Sequence, residues 1–209
     1  WLHVSGVTPA LGQQAADGTL EAMRAARAAG VKVSFDGNFR PKLWQAWNGD
    51  APGILRGLMA EADVMFASHR DIEVVLGQAF QQATSQERFL AGAQAAFAAF
   101  PHLQRMAATI RVQRSVDHHA LSAIDARRDG SSHATPAYEV APIADRTGTG
   151  DAFAAGVLHG SMTGMDDAAG LQFGLGAACL KHSLPGDFNL LGAAEISAFL
   201  GESGFDVRR

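Results

Sequence analysis

The 209-residue sequence predicts a doubly wound α/β fold, a mostly parallel sheet with helices on both faces. Two observations carry this expectation. Short apolar runs of strand length alternate with longer stretches of helical periodicity, an order that right-handed crossovers turn into a parallel sheet. The composition, 47% apolar and 18% charged, suits a single globular unit with a real core and shows no sign of disorder.

Each element has its own signal. Trp1-Leu2-His3-Val4-Ser5-Gly6 reads as a core strand ending in a turn. No leader or initiator Met precedes it, so the chain is expected to open inside a buried strand of a longer protein. Thr19 is placed to cap a helix from Leu20 to Ala29, closed by Gly30, with Leu20, Met23 and Ala26 or Arg27 on one face. Val31 to Phe35 reads as a β-branched strand ending at Asp36, and Pro52 suits the first turn of a short helix through Leu58. Val64 to Ala67 is a buried strand; a helix from about Arg70 to Leu76 stops at Gly77; Ser85 starts an alanine-rich helix ending near Phe100-Pro101. Met106 to Ile110 and Ala120 to Ala126 read as strands around the polar stretch Val112 to His119, and Tyr138 to Pro142 as a short edge strand. The last third is helical: Asp151 to about Met162, Asp166 to about Lys181, and Ala193 to Leu200. No internal repeat, low-complexity tract or linker interrupts residues 1–209, so one domain is expected.

Several function classes are disfavoured. A net charge of -4 attracts neither nucleic acid nor an anionic membrane, and no stretch approaches the roughly 18 apolar residues of a membrane helix. The only cysteine, Cys179, allows no internal disulfide, which favours a cytoplasmic setting. It sits in an alanine-rich stretch as a small buried residue. His118-His119 lacks a second ligand pair at zinc spacing and reads as a solvated loop, while Met162, Met165 and the phenylalanines read as core.

The chemistry concentrates in Asp145-Arg146-Thr147-Gly148-Thr149-Gly150-Asp151-Ala152-Phe153-Ala154-Ala155-Gly156. Two glycines around a small residue let successive N–H groups turn towards one point, and the helix that follows adds its unsatisfied N–H groups and positive dipole end. Gly148, Thr149 and Gly150 thus form an expected hole for an anion. Asp151, ionised in the first helical turn, is placed to accept a hydroxyl proton while the hydroxyl attacks phosphorus. This is neither a Walker A loop, since no Gly-Lys-Ser/Thr follows, nor a dinucleotide fingerprint, since Phe153 stands where a small residue belongs. A second cluster, Phe35-Asp36-Gly37-Asn38-Phe39-Arg40-Pro41-Lys42-Leu43-Trp44, lies beyond a strand end. There Asp36, Asn38 and Arg40 offer a carboxylate, an amide and a guanidinium able to hold a carboxylate with two parallel bonds.

The Asp145–Gly156 segment resembles the C-terminal signature of the ribokinase-like family, the phosphofructokinase-B-type carbohydrate kinases. The resemblance implies that Gly148, Thr149 and Gly150 form the anion hole and that Asp151 is the base activating the sugar hydroxyl; Thr149 stands where alanine is commoner. The Asp36–Trp44 stretch resembles the Asp-x-Asn-x-Arg-x-x-Leu-Trp of 2-keto-3-deoxygluconate kinases, implying that Arg40 contacts a sugar acid and that Asp36 and Asn38 shape the cleft. Ser68-His69-Arg70-Asp71 sits where the family has Asn-x-x-Glu, with both key positions changed; Ser68 is then expected near the nucleotide and Asp71 near magnesium, through water. Thr109-Ile110-Arg111 and Lys181-His182-Ser183-Leu184-Pro185-Gly186-Asp187-Phe188-Asn189 resemble nucleotide-side segments of the same group, which implies nucleotide contacts for Thr109, Arg111, His182 and Asn189.

Together the resemblance implies a ribokinase-like core using ATP and Mg2+ to phosphorylate a small sugar acid, as a possible homo-oligomer, without the N-terminal strands and β lid of the family. A kinase for a neutral sugar of the fructose or ribose type, and a non-catalytic protein that keeps the fold, are the alternatives.

Overall fold

Four strands pair in parallel, and the two central ones are buried on both faces. In the computed structural model, which describes residues 1–201, β1 (Leu2–Ser5) pairs with β2 (Val33–Asp36), β2 with β3 (Val64–Phe66), and β3 with β4 (Arg105–Gln113). Val4 lies opposite Phe35, Phe35 opposite Met65, and Met65 opposite Met106. Val33, Ser34 and Phe35 are buried, as are all three residues of β3. The order continues through β5 (His119–Arg127) to β6 (Ser132–Ala134), with β7 (Tyr138–Val140) also paired to β5. β1 stands at the end of this order and is only partly covered, with Trp1 42% exposed. Among the described residues, no helix is long and apolar enough to cross a membrane.

The described residues divide into two compact units, residues 1–108 with 126–132, and residues 109–125 with 133–201. In the first unit a 3-10 turn (Pro9–Leu11) and five helices accompany the parallel strands: α1 (Gln13–Ala28), α2 (Pro41–Gln45), α3 (Ala51–Ala60), α4 (His69–Leu76) and α5 (Ser85–Ala99). Caps set the helix starts. Asp50 accepts the N–H of Gly53 at 3.1 Å, and Thr84 and Glu87 each accept the other's N–H, at 3.1 and 3.0 Å. Gly77 ends α4 with φ +66°, as expected. Thr19 does not cap. It lies inside α1, where its hydroxyl donates back to the Ala15 carbonyl at 2.6 Å and so satisfies itself within the helix.

One residue organises the amino ends of the strands. The Asp63 carboxylate accepts from the Val33 N–H at 2.9 Å and from Arg27 at 3.2 Å, and its carbonyl accepts from the Gln104 N–H at 2.8 Å. At the carboxyl ends the ladder runs one residue further. Gly6 donates to Asp36 O at 2.7 Å, Gly37 to Phe66 O at 2.9 Å, and Ala67 to Ala107 O at 3.1 Å. The residues that leave β2 and β3 are thereby brought side by side. The buried centre of this unit includes Phe35, Leu55, Leu58, Met65, Ile72 and Phe89.

In the second unit, residues 114–118 join β4 to β5, too short a connection for a parallel crossover, so the pair is antiparallel, as is β5 with β7. Strand β6 was not foreseen, since three mostly exposed polar and small residues carry no periodicity. Helices α6 (Thr149–Thr163) and α7 (Asp167–Lys181) pack antiparallel through glycines, and α8 (Ala193–Gly201) covers Ala152, Phe173 and Ala177 with Ile196. A Cβ on Gly156 would stand 2.6 Å from the Gly174 Cα, and one on Gly160 2.7 Å from the Gly170 Cα. The buried face of α6 is taken by Ala152 to Ala154, Gly156 to Leu158 and Gly160, which turns Met162 outward at 59% exposure, against the expectation of a core residue. Phe188, 84% exposed, is likewise outside the core, whereas Met165 packs partly against it. Cys179 is buried as expected, and burial pushes its thiol up to about 12.

This packing predicts opposite outcomes for two glycines of one helix. Gly156→Val must drive α6 and α7 apart and should destabilise the protein by about 1–3 kcal/mol. Gly150→Ala meets nothing within 4 Å and adds helix propensity, so it should be neutral or stabilising by up to about 1 kcal/mol. Urea unfolding of both variants beside the parent measures the difference.

Candidate functional site

Helix α6 begins without a side-chain cap. Gly148 occupies the N-cap position with φ +72°, a left-handed conformation that glycine adopts without penalty. The first helical bond runs from Ala152 N–H to Gly148 O at 2.9 Å, and the N–H groups of Thr149, Gly150 and Asp151 take no acceptor among the described residues. Side chains answer this need at α3, α5 and α7, the last through Asp166 and the Ala169 N–H at 2.7 Å. At α6 the Thr149 hydroxyl instead donates backward to Arg146 O at 3.1 Å, leaving the amides to a ligand. Asp151 follows in the first turn and is exposed.

Beside this helix start lies a cavity of about 220 Å³ lined by Thr109, Arg111, Leu121, Thr149, Gly150, Ala178 and His182. Residues foreseen at three separate places in the sequence therefore meet at one cavity. Asn189 is not among its lining; it is exposed, and its side-chain oxygen accepts the Leu191 N–H at 3.2 Å. Burial and the neighbouring Arg146 both hold the Arg111 guanidinium below its ordinary range. Neither guanidinium has an ion pair among the described residues, so two like charges stand close together in a chain whose net charge is negative. Such a pair is relieved by an anion.

The histidines here escaped the sequence. His119, expected in a solvated loop, is fully buried on β5, and neither ring nitrogen has a hydrogen-bond partner among the described residues. Strand β5 is covered on both faces, which the flanking polar stretch concealed. His118 alone meets that expectation in part, with Nε2 2.7 Å from the Glu139 carboxylate. His119 packs edge-on against His182 with centroids 6.4 Å apart, and burial lowers both rings' affinity for a proton. His182 Nδ1 lies 2.7 Å from Ala178 O and must donate to it, which leaves Nε2 as an acceptor.

The second cluster lies in the first unit. Asp36 ends β2, and Gly37 follows so tightly that a Cβ on Gly6 would overlap the Gly37 carbonyl. A Cβ on Gly37 would stand 3.2 Å from Oδ1 of Asp71, so the Asp71 carboxylate presses on the turn after Asp36. Asp71 Oδ2 accepts from the Ser68 N–H at 2.8 Å and the Ser68 hydroxyl at 2.7 Å, a cap that brings Ser68 and Asp71 together. Asn38, at φ +38°, donates to the Ser5 hydroxyl at 3.2 Å. Arg40 is exposed and bonds only the Phe39 carbonyl, at 3.3 Å, so its guanidinium retains most of its donors.

The model of the pfkB family carbohydrate kinases matches residues 1–190. A 2-dehydro-3-deoxygalactonokinase of Haloferax volcanii is 32% identical over 206 residues, with 98% of this chain and 58% of the relative covered. A 2-dehydro-3-deoxygluconokinase of Bacillus subtilis is 29% identical, with 95% and 56% covered. The crystal structure of 2-dehydro-3-deoxygluconokinase from Thermotoga maritima superposes with a TM-score of 0.86 at 32% identity, with 97% of this chain and 60% of that one covered. The chain thus spans less than two thirds of the length of each of these relatives. The family model covers residues 1–190, and the chain belongs to the pfkB family of carbohydrate kinases.

Proposed function

We propose that the chain carries the catalytic part of an ATP-dependent kinase for a small sugar acid, 2-keto-3-deoxygluconate or a close stereoisomer. The observation that carries this reading is the set of unanswered amides at Thr149 to Asp151 beside a cavity lined by the Arg111 guanidinium, with Arg146 near it. Phosphoryl transfer needs positioning and charge stabilisation far more than covalent help from the protein, and these groups supply both. Asp151 takes the proton of the attacking hydroxyl, and the Gly148–Gly150 backbone stabilises charge developing on the phosphoryl oxygens. Arg40 anchors the substrate carboxylate through its planar fork, flanked by Asp36 and Asn38. ATP supplies the phosphoryl group, with Ser68, Thr109, Arg111, His182 and Asn189 as its contacts. Mg2+ keeps several waters and needs only one or two carboxylates; Asp71, with Oδ2 committed to Ser68, offers Oδ1 through water. The names of the related 2-dehydro-3-deoxy sugar-acid kinases favour the sugar acid over a neutral sugar.

The base assignment is tested by Asp151→Asn, assayed with the sugar acid and MgATP. Turnover should fall by about two to four orders of magnitude while nucleotide affinity holds. Near-normal turnover would remove Asp151 from the chemistry.

Arg40→Lys keeps the charge and loses the two-bond fork, so KM for the sugar acid should rise well above any change in KM for ATP. Equal changes in both, or a parent preference for uncharged fructose, would favour the neutral-sugar kinase. Absence of phosphorylation with every sugar tried would favour a non-catalytic protein.

A further inference from the structure

Lys181 is the last residue of α7 and is fully buried, yet neither of its hydrogen-bond acceptors is a carboxylate. Its Nζ donates to two main-chain carbonyls, Leu184 O at 3.1 Å and Gly186 O at 2.7 Å. A buried ammonium is costly unless it is well solvated by fixed dipoles, so these carbonyls are drawn inward around it. The same short segment is held from its other side. The Gly186 N–H donates to Asp145 Oδ2 at 2.7 Å, while the other oxygen of Asp145 accepts the N–H groups of Arg146 at 2.6 Å and Thr147 at 2.9 Å. These bonds hold the Asp145 carboxyl far below the usual carboxylate range. The His182 carbonyl adds two more ties, accepting Ala144 N–H at 2.8 Å and Asp145 N–H at 3.2 Å. Residue 186 is therefore clamped through both of its backbone polar groups, with φ +84°, and the next carbonyl, of Asp187, lies where a Cβ on Gly148 would be.

We infer that Lys181 is a positioning residue for the amide cradle at the start of α6. Its ammonium is a tethered internal cation that fixes the 184–187 segment, and that segment in turn backs Gly148 and holds residues 148–151 in place. The inference rests on the kinase reading only for what the cradle does in catalysis; the mechanical link stands on the contacts themselves. A lysine that merely filled the end of α7 would hold its own loop and nothing beyond it.

Hydrogen exchange followed by mass spectrometry on the whole chain separates the two. In Lys181→Met, similar in length without the charge, peptides covering 182–190 and 145–151 should both lose protection, while the interiors of α6 and α7 keep theirs. Ammonium or methylammonium ions, at ionic strength matched with a bulky tetraalkylammonium salt, should restore both peptides, because a small free cation can occupy the vacated place. Loss confined to 182–190, or no restoration by ammonium, overturns the inference. If Lys181→Met does not fold, Gly186→Ala decides. The new Cβ meets no neighbour within 4 Å, so it strains only the exposed positive-φ turn. That variant should loosen 182–190 and 145–151 together; loosening of 182–190 alone sinks the link. In turnover, Lys181→Met should lower kcat by about a hundredfold with little change in either KM, partly recovered by ammonium. A parent without sugar-acid kinase activity would refute the kinase reading and leave the exchange result to stand.

Discussion

The first turn of a helix leaves its N–H groups without partners inside the helix, and at the start of α6 those of Thr149, Gly150 and Asp151 find no acceptor among the described residues. Much of the second unit is arranged around that omission. Gly148 takes a left-handed turn that frees the amides from a side-chain cap, and its missing Cβ admits the Asp187 carbonyl. Asp145 gathers the N–H groups on either side, which would otherwise compete with a ligand for order. Glycines at 156 and 174 then let α7 approach closely enough to deliver His182 to the cavity beside the cradle.

In the first unit the corresponding constraint is the parallel ladder. Its bonds continue to Gly6, Gly37 and Ala67, so the loops that leave β2 and β3 begin at neighbouring points. Tight backbone approach between Gly6 and Gly37, and the Asp71 carboxylate against Gly37, leave little freedom for the Asp36–Arg40 turn. The polar groups proposed to read the substrate are thus set by main-chain geometry, and Arg40 projects from a turn whose shape its own side chain does not determine.

The parts of this arrangement that were legible in the sequence are those coded by neighbours. Gly148 to Asp151 is contiguous, and a glycine pair before a helix is a local signal that fits either an anion cradle or a plain helix start. The helix stop at Gly77 and the start at Ser85 depend equally on local chemistry. What stayed hidden depends on residues far apart in the chain. Burial of His119 comes from elements packed on both faces of β5, and nothing in the polar stretch before it announces them. Thr19 carries a capping side chain, but α1 starts well before it, and the hydroxyl settles for a bond inside the helix. Lys181 resembles any lysine at a helix end; only the loop folded over it shows that the charge is enclosed.

Arg111 and Arg146 stand near one another with no ion pair to an acid among the described residues, a repulsion that an anion would relieve. Unit 2 should accordingly be a sensor of its own saturation: multivalent anions stiffen it and raise its melting temperature, while monovalent chloride at equal ionic strength does so weakly.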